Sequence, residues 1–131
     1  RLNAYPLTRD KMLEHYWHKI GRAAGTQMFN WMAHLDLPKK VRLGQEPKWA
    51  DLENKTIEKI AKSKVTIEIN TSFYKPDCYE PYPSNRILRM VAKNNVPVLL
   101  SDDAHRAEHL GRHFDEAQGL INKFNLEKYQ R

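Results

Sequence analysis

Apolar residues recur at two different spacings along this chain, and each spacing predicts a different kind of element. A repeat of three and four positions predicts helices over about residues 9–24, 50–62, 85–94 and 114–123. Short apolar runs predict strands at residues 28–33, 65–70 and 96–100. Helices that alternate with short strands are typical of parallel βαβ units, so we expect an α/β fold with its strand ends gathered at one edge.

The helix boundaries follow from capping residues. Thr8 and Ser84 are good N-caps for the first and third helices, and Gly25 is expected to end the first. The stripe that the first helix buries is expected to consist of Met12, His15, Tyr16 and Ile20. Residues 39–49 and 71–83 are expected to be loops, and the second is long enough to suggest a functional role.

The strand at residues 65–70 alternates strictly between apolar and polar side chains. Its apolar face (Val65, Ile67 and Ile69) is expected to meet the helices. Its polar face (Thr66, Glu68 and Asn70) then looks toward a site rather than a dry core.

Each predicted strand is followed by polar side chains that can carry chemistry, and the last strand is the most informative. Asp103 and His105 follow it directly, and residues two apart on a strand project to the same side. A carboxylate and an imidazole at the carboxyl end of a strand are typical metal ligands. The alternative is a turn in which Asp103 is a cap and His105 has no special role.

The composition restricts the partners. Basic residues exceed acidic ones, giving a net charge of +6, but the two kinds are interleaved, so we do not expect nucleic acid as a partner. No apolar run approaches the roughly 18 residues of a membrane span, and we expect no membrane partner and no signal peptide. The single Cys78 excludes an internal disulfide and favours a reducing, cytoplasmic location.

Five short motifs, taken in order, resemble one protein superfamily. They are the segments at residues 33–37 (AHLDL), 67–72 (IEINTS), 80–84 (EPYPS), 101–105 (SDDAH) and 110–117 (LGRHFDEA). With them, residues 1–131 resemble the C-terminal portion of a PHP (polymerase and histidinol phosphatase) domain, in its histidinol-phosphatase branch.

The resemblance implies a fold and a set of site residues. The fold would be a partial β/α barrel, about the last three strands and their helices of a distorted seven-stranded barrel. The complete family site holds up to three divalent metal ions (Zn, Mn, Fe or Co), and here His34, Asp103 and His105 match its metal ligands. Lys75 matches a basic residue that meets the substrate phosphate. The N-terminal His-x-His motif of the family does not occur in this sequence, so the chain would hold only part of the site.

The implied function is that of a hydrolase of histidine biosynthesis. It would cleave a small phosphate monoester, such as L-histidinol phosphate, through a metal-bound hydroxide. One alternative is a PHP-type nuclease. Another is a non-catalytic half-barrel, which would form homo-oligomers or pair with the missing N-terminal half because its strand edges are unpaired.

Other residues are expected to be structural. Lys39 and Lys40 are expected to be solvated, with a place at the border of the site as the alternative. Trp17, Trp31 and Trp49 are expected to pack in the core or in loops, and His109 and His113 to lie on an exposed helix surface. Cys78 has no partner base in its motif and is not expected to be a nucleophile.

Overall fold

The computed structural model describes residues 8–75 and 77–129. Its four α-helices are α1 (Arg9–Gly25), α2 (Ala50–Lys62), α3 (Asn85–Lys93) and α4 (Phe114–Phe124). Its strands are β1 (Trp31–Met32), β2 (Thr66–Asn70) and β3 (Val98–Ser101). The predicted helices are confirmed, and the side chains of Thr8 and Ser84 accept hydrogen bonds at the first turns of α1 and α3 as N-caps.

The three strands form one parallel sheet in the order β1-β2-β3. Met32 is the partner of Ile67, and Asn70 is the partner of Ser101. Parallel neighbours connected through helices confirm the α/β prediction. The described part of the chain does not close into a barrel.

β1 is much shorter than the predicted strand at residues 28–33. The Thr66 N–H donates to the Asn30 carbonyl at 3.0 Å, and β2 begins there. Because residues before Asn30 have no β2 residue opposite them, they do not pair with it. Met28 and Phe29 are consequently exposed rather than held in the sheet.

The buried stripe of α1 differs from the predicted one. Leu13, Trp17, Gly21 and Ala24 are buried. Met12 and His15 are exposed, so this part of the prediction is wrong. Met12, Tyr16 and Ile20 recur at the same spacing as Leu13, Trp17 and Gly21, one position earlier, so helical spacing alone does not distinguish the two stripes. At Gly21 a Cβ atom would lie 3.1 Å from Lys59 Cδ, so α1 and α2 pack closely there.

Both faces of β2 are buried, including the polar one. Glu68 accepts a hydrogen bond from the His34 N–H at 2.6 Å and one from the Asn70 amide at 3.2 Å. The prediction that the apolar face lies in the core is confirmed for Ile67 and Ile69. The side chains of the polar face are therefore buried and hydrogen-bonded, because a buried carboxylate needs hydrogen-bond donors.

The connecting segments contain more structure than predicted. Residues 39–49 include parts of two short 3₁₀ helices, Leu37–Val41 and Pro47–Trp49, and another covers Thr71–Phe73. The backbone of Val98 pairs with Glu127 and Tyr129, so the chain after α4 covers the start of β3. No helix in residues 8–75 or 77–129 is long and apolar enough to cross a membrane.

Candidate functional site

Asp103 and His105 lie together beyond the end of β3, in a turn rather than on the strand. The strand ends at Ser101, and Asp103 has a φ of 50°. The predicted strand alternation therefore does not apply to these two residues, because a left-handed residue ends the extended conformation. The turn still brings them together, since His105 Nδ1 lies 2.7 Å from the Asp103 carbonyl oxygen.

Asp102 holds this turn in place. Its carboxylate accepts hydrogen bonds from the Gly111 N–H at 2.6 Å and the Ala104 N–H at 3.0 Å. These backbone donors stabilise the charged form and lower the pKa of Asp102. The Arg112 guanidinium donates to the Asp102 carbonyl at 3.0 and 3.2 Å. Asp102 therefore positions both Arg112 and the Asp103 turn.

A cavity of about 230 Å³ opens at the strand ends, and we call it the strand-end pocket. It is lined by Lys40, Ser72, Phe73, Lys75, Tyr82, Asp103, His105 and Arg112. Three of these side chains are cations and one is a carboxylate. The pocket therefore carries excess positive charge where α/β folds commonly bind ligands, and the positive charge suits an anion.

His34 does not line the strand-end pocket. Its ring lies edge-on to the Tyr82 ring, with centroids 6.3 Å apart, while Tyr82 itself lines the pocket. Across the part of the chain that the structure describes, no three His, Cys, Asp or Glu side chains come close enough to hold a metal ion. Asp103 and His105 have suitable donor atoms, but two ligands do not make a complete site, and we derive no reaction step through a metal here.

Lys39 is buried, contrary to the prediction that it is solvated. Its side chain is 3% exposed, and its Nζ lies 3.5 Å from Asp36 Oδ2 and 3.6 Å from Glu80 Oε1. It also donates to the Pro81 carbonyl and lies 4.5 Å from the centroid of the Phe73 ring. We call Asp36, Lys39 and Glu80 the buried lysine cluster. Sequence reasoning missed it, although the spacing of three between Asp36 and Lys39 is a signal for such a pair.

Burial affects the acids in and around this cluster. It raises the pKa of Asp36, and the neighbouring Lys39 charge opposes that rise without cancelling it. Burial, reinforced by the Asp36 carboxylate, also raises the pKa of Tyr16 to about 12. The Tyr16 hydroxyl donates to the Leu35 carbonyl at 2.9 Å, so α1 is anchored beside the cluster.

The cluster fixes the segment that carries Tyr82 into the strand-end pocket. Asp36 accepts a hydrogen bond from the Ser84 N–H at 2.9 Å, at the start of α3. The backbones of Tyr82 and Asn70 exchange hydrogen bonds of 2.7 and 2.9 Å. Residues 80–84 are thus attached to both the buried lysine cluster and β2.

The remaining predicted positions have mixed outcomes. Trp17 and Trp49 are buried as expected, whereas Trp31 is 56% exposed because it lies on the edge strand β1. His113 is exposed as expected, at the N-cap position of α4, whereas His109 ends a short 3₁₀ helix and is half-buried. Lys40 and Lys75 are exposed and line the strand-end pocket.

Two curated proteins are similar to this chain, and both are named "Probable histidinol-phosphatase". The protein from Deinococcus radiodurans is 29% identical over 103 residues, which cover 78% of this chain and 38% of that protein. The protein from Thermotoga maritima is 31% identical over 101 residues, which cover 76% of this chain and 42% of that protein. No protein-family model matches the sequence. The chain is therefore similar to about two fifths of each of these proteins.

Proposed function

We propose that this chain is the C-terminal portion of a phosphatase that hydrolyses a small phosphate monoester such as L-histidinol phosphate. The observation that carries the proposal is the strand-end pocket, which Lys40, Lys75 and Arg112 line together with Asp103 and His105. The names of the two similar proteins support the same reaction class.

The cations suit a phosphate group in different ways. Lys40 and Lys75 are exposed and act as flexible point charges. Arg112 is held by its hydrogen bonds to the Asp102 carbonyl, so its guanidinium is already oriented. Fixed positive charge at the position of a phosphoryl oxygen stabilises the charge that develops during its transfer. Within this proposal, these three residues bind and orient the phosphate.

The proposal includes divalent metal ions that Asp103 and His105 would hold; His34, which the family resemblance also implies as a ligand, lies outside the strand-end pocket. Zn, Mn, Fe and Co all accept carboxylate and imidazole ligands. The chemistry supplied by such an ion, when bound, would be activation of a water molecule at neutral pH and polarisation of phosphoryl oxygens. Because the described residues form only part of such a site, the complete site needs ligands from additional polypeptide.

Metal analysis and a phosphatase assay on the same sample test this proposal. In a protein that carries the complete site, we expect Asp103→Asn to lose bound metal and hydrolysis of L-histidinol phosphate together. Asp115→Asn, at an exposed position in the first turn of α4, is the matched control and should retain both. Full metal content with full turnover in Asp103→Asn would contradict the ligand assignment. Hydrolysis of single-stranded DNA but not of L-histidinol phosphate would favour the nuclease alternative.

One observation favours the second candidate, a non-catalytic half that needs a complementary chain. At and just before β1, Met28, Phe29 and Trp31 are 80%, 51% and 56% exposed. Large apolar side chains beside an edge strand are typical of a surface that another polypeptide covers. Sedimentation over a range of concentrations tests this candidate: self-association that Trp31→Ser weakens would support it, and a monomer at every concentration would contradict it.

A further inference from the structure

A second cavity, of about 270 Å³, lies next to the strand-end pocket and has mainly aromatic walls. It is lined by Tyr74, Lys75, Tyr79, His113 and Glu116, and we call it the aromatic pocket. The Tyr74 and His113 rings are stacked, with centroids 5.1 Å apart and planes inclined at 28°. These two rings present flat surfaces that are already in place.

Lys75 connects the two cavities because it lines both of them. Its Nζ lies 5.2 Å from the centroid of the Phe73 ring, and Phe73 lines the strand-end pocket. A ligand whose phosphate is held by Lys75 therefore has the aromatic pocket within reach of its other end.

The size and chemistry of the aromatic pocket indicate what fits. At about 270 Å³ it is slightly below the roughly 300–1,000 Å³ of common small-molecule sites, and it has room for a flat ring. Glu116 adds a carboxylate, which lies 3.1 Å from His113 Nδ1. An acceptor beside stacked aromatic rings favours a flat ring that carries an N–H donor.

We propose that the aromatic pocket binds the leaving-group end of the substrate, as a single flat ring with an N–H donor, while Lys75 holds the phosphate. This inference rests on the proposed phosphatase function and adds to it a residue set that selects the alcohol. Imidazole is one ring of this class.

Tyr79 distinguishes this proposal from ordinary packing. Tyr74 and His113 stabilise each other by stacking, which alone accounts for their positions. Tyr79 is 78% exposed, so burial in the fold does not explain its place beside the cavity. A ring that enters the aromatic pocket would cover part of Tyr79, and substitution of Tyr79 therefore tests ligand binding with little effect on stability.

The experiment measures binding by calorimetry and amide chemical shifts for three probes. They are inorganic phosphate, glycerol 1-phosphate and L-histidinol phosphate, compared in the unsubstituted chain, Tyr79→Ala and the matched control Tyr129→Ala. Tyr129 is also exposed, at 53%, and does not line the aromatic pocket. We expect Tyr79→Ala to weaken the binding of L-histidinol phosphate by about 3- to 10-fold, which is the usual effect of losing one aromatic contact. Its binding of the other two probes should not change.

The outcomes separate this inference from the phosphatase proposal. If L-histidinol phosphate binds no more tightly than glycerol 1-phosphate, or if Tyr79→Ala leaves its affinity unchanged, the aromatic pocket is not the ring site. The strand-end pocket is then still supported by phosphate binding that Lys75→Ala weakens. If none of the three probes binds, both proposals are wrong. Glu116→Gln adds a further test. It should weaken the binding of L-histidinol phosphate but not the binding of phenyl phosphate, whose ring has no N–H donor.

Discussion

Lys39 and Lys40 are neighbours in the sequence, but they lie in opposite environments. Lys39 is 3% exposed and lies among two carboxylates, a carbonyl oxygen and two aromatic rings. Lys40 is exposed and lines the strand-end pocket with two other cations. The comparison shows that the partners around a charge, rather than the residue type, distinguish a structural lysine from one available to a ligand.

The two regions meet different electrostatic requirements. In the buried lysine cluster the charges are removed from water, and opposite charges offset the cost of desolvation. In the strand-end pocket the cations remain in water and outnumber the carboxylate, so their attraction is available to an incoming anion. Substitutions should therefore affect stability in the first region and ligand binding in the second.

The largest expected effect is on the buried lysine cluster. Lys39→Met leaves Asp36 buried without its cation, and we expect a loss of about 3–5 kcal/mol in the free energy of unfolding. Urea denaturation measures this loss. The control is Lys40→Met, which should change the free energy by less than about 0.5 kcal/mol. Equal effects of the two substitutions would remove the distinction between the regions.

The next effect tests the strand-end pocket. We expect Lys75→Ala to weaken binding of inorganic phosphate by about tenfold, because a charge-assisted contact of about 1.5 kcal/mol is lost. The binding should also weaken with added salt, since these cations are exposed. Titration at two salt concentrations measures both effects. Lys19→Ala, at an exposed position on α1, is the control, and an equal loss there would indicate nonspecific attraction.

A smaller effect is expected at the segment that joins the two regions. Ser84 accepts a hydrogen bond from the Ile87 N–H as the N-cap of α3, and its own N–H donates to Asp36. Ser84→Ala removes the cap but keeps that N–H, so we expect a loss of about 1 kcal/mol in unfolding free energy. If the loss of unfolding free energy in the double variant equals the sum of the losses in Ser84→Ala and Lys39→Met within about 0.5 kcal/mol, the cap and the buried lysine cluster act independently. A larger deviation would show that they are coupled.

The smallest effect is a change in pH dependence. The pKa of Asp36 is raised in the folded state, so the folded chain holds its proton to higher pH than the unfolded chain does. The resulting contribution to stability is present below the unfolded pKa and is lost as pH rises through the folded pKa. The stability of Asp36→Asn relative to the unsubstituted chain should therefore increase from pH 3 to pH 7. Urea denaturation at several pH values measures this difference, and an unchanged difference would contradict the raised pKa.

Much of the fold could be predicted because local signals agreed with it. The bounds of α2 match the prediction, and Ser84 caps α3 as its residue type suggests. Parallel pairing followed from strands that alternate with helices. The stripe of α1 was wrong because the buried face carries Leu13 and Trp17, one position along from the predicted Met12 and Tyr16, and helical spacing alone does not distinguish the two. The strand at residues 28–33 was too long because pairing depends on where β2 begins.

The candidate site was predictable only in part. Asp103, His105 and Lys75 line one pocket, although Asp103 and His105 meet through a turn that strand alternation does not describe. The burial of Lys39 could not be predicted, because its partners Glu80 and Pro81 are more than 40 positions away in the sequence. Contacts at such separations depend on the tertiary fold rather than on local pattern.

Asn70 has a consequence for how long the site keeps its shape. Its amide nitrogen donates to Glu68 at 3.2 Å, and its amide oxygen accepts from the Ser72 N–H at 2.9 Å. Deamidation to aspartate would replace the donor with an oxygen facing the Glu68 carboxylate, and two carboxylates so close cannot both stay charged at ordinary cost. A single chemical change at this amide would therefore disturb both the buried polar face of β2 and the turn that follows the strand.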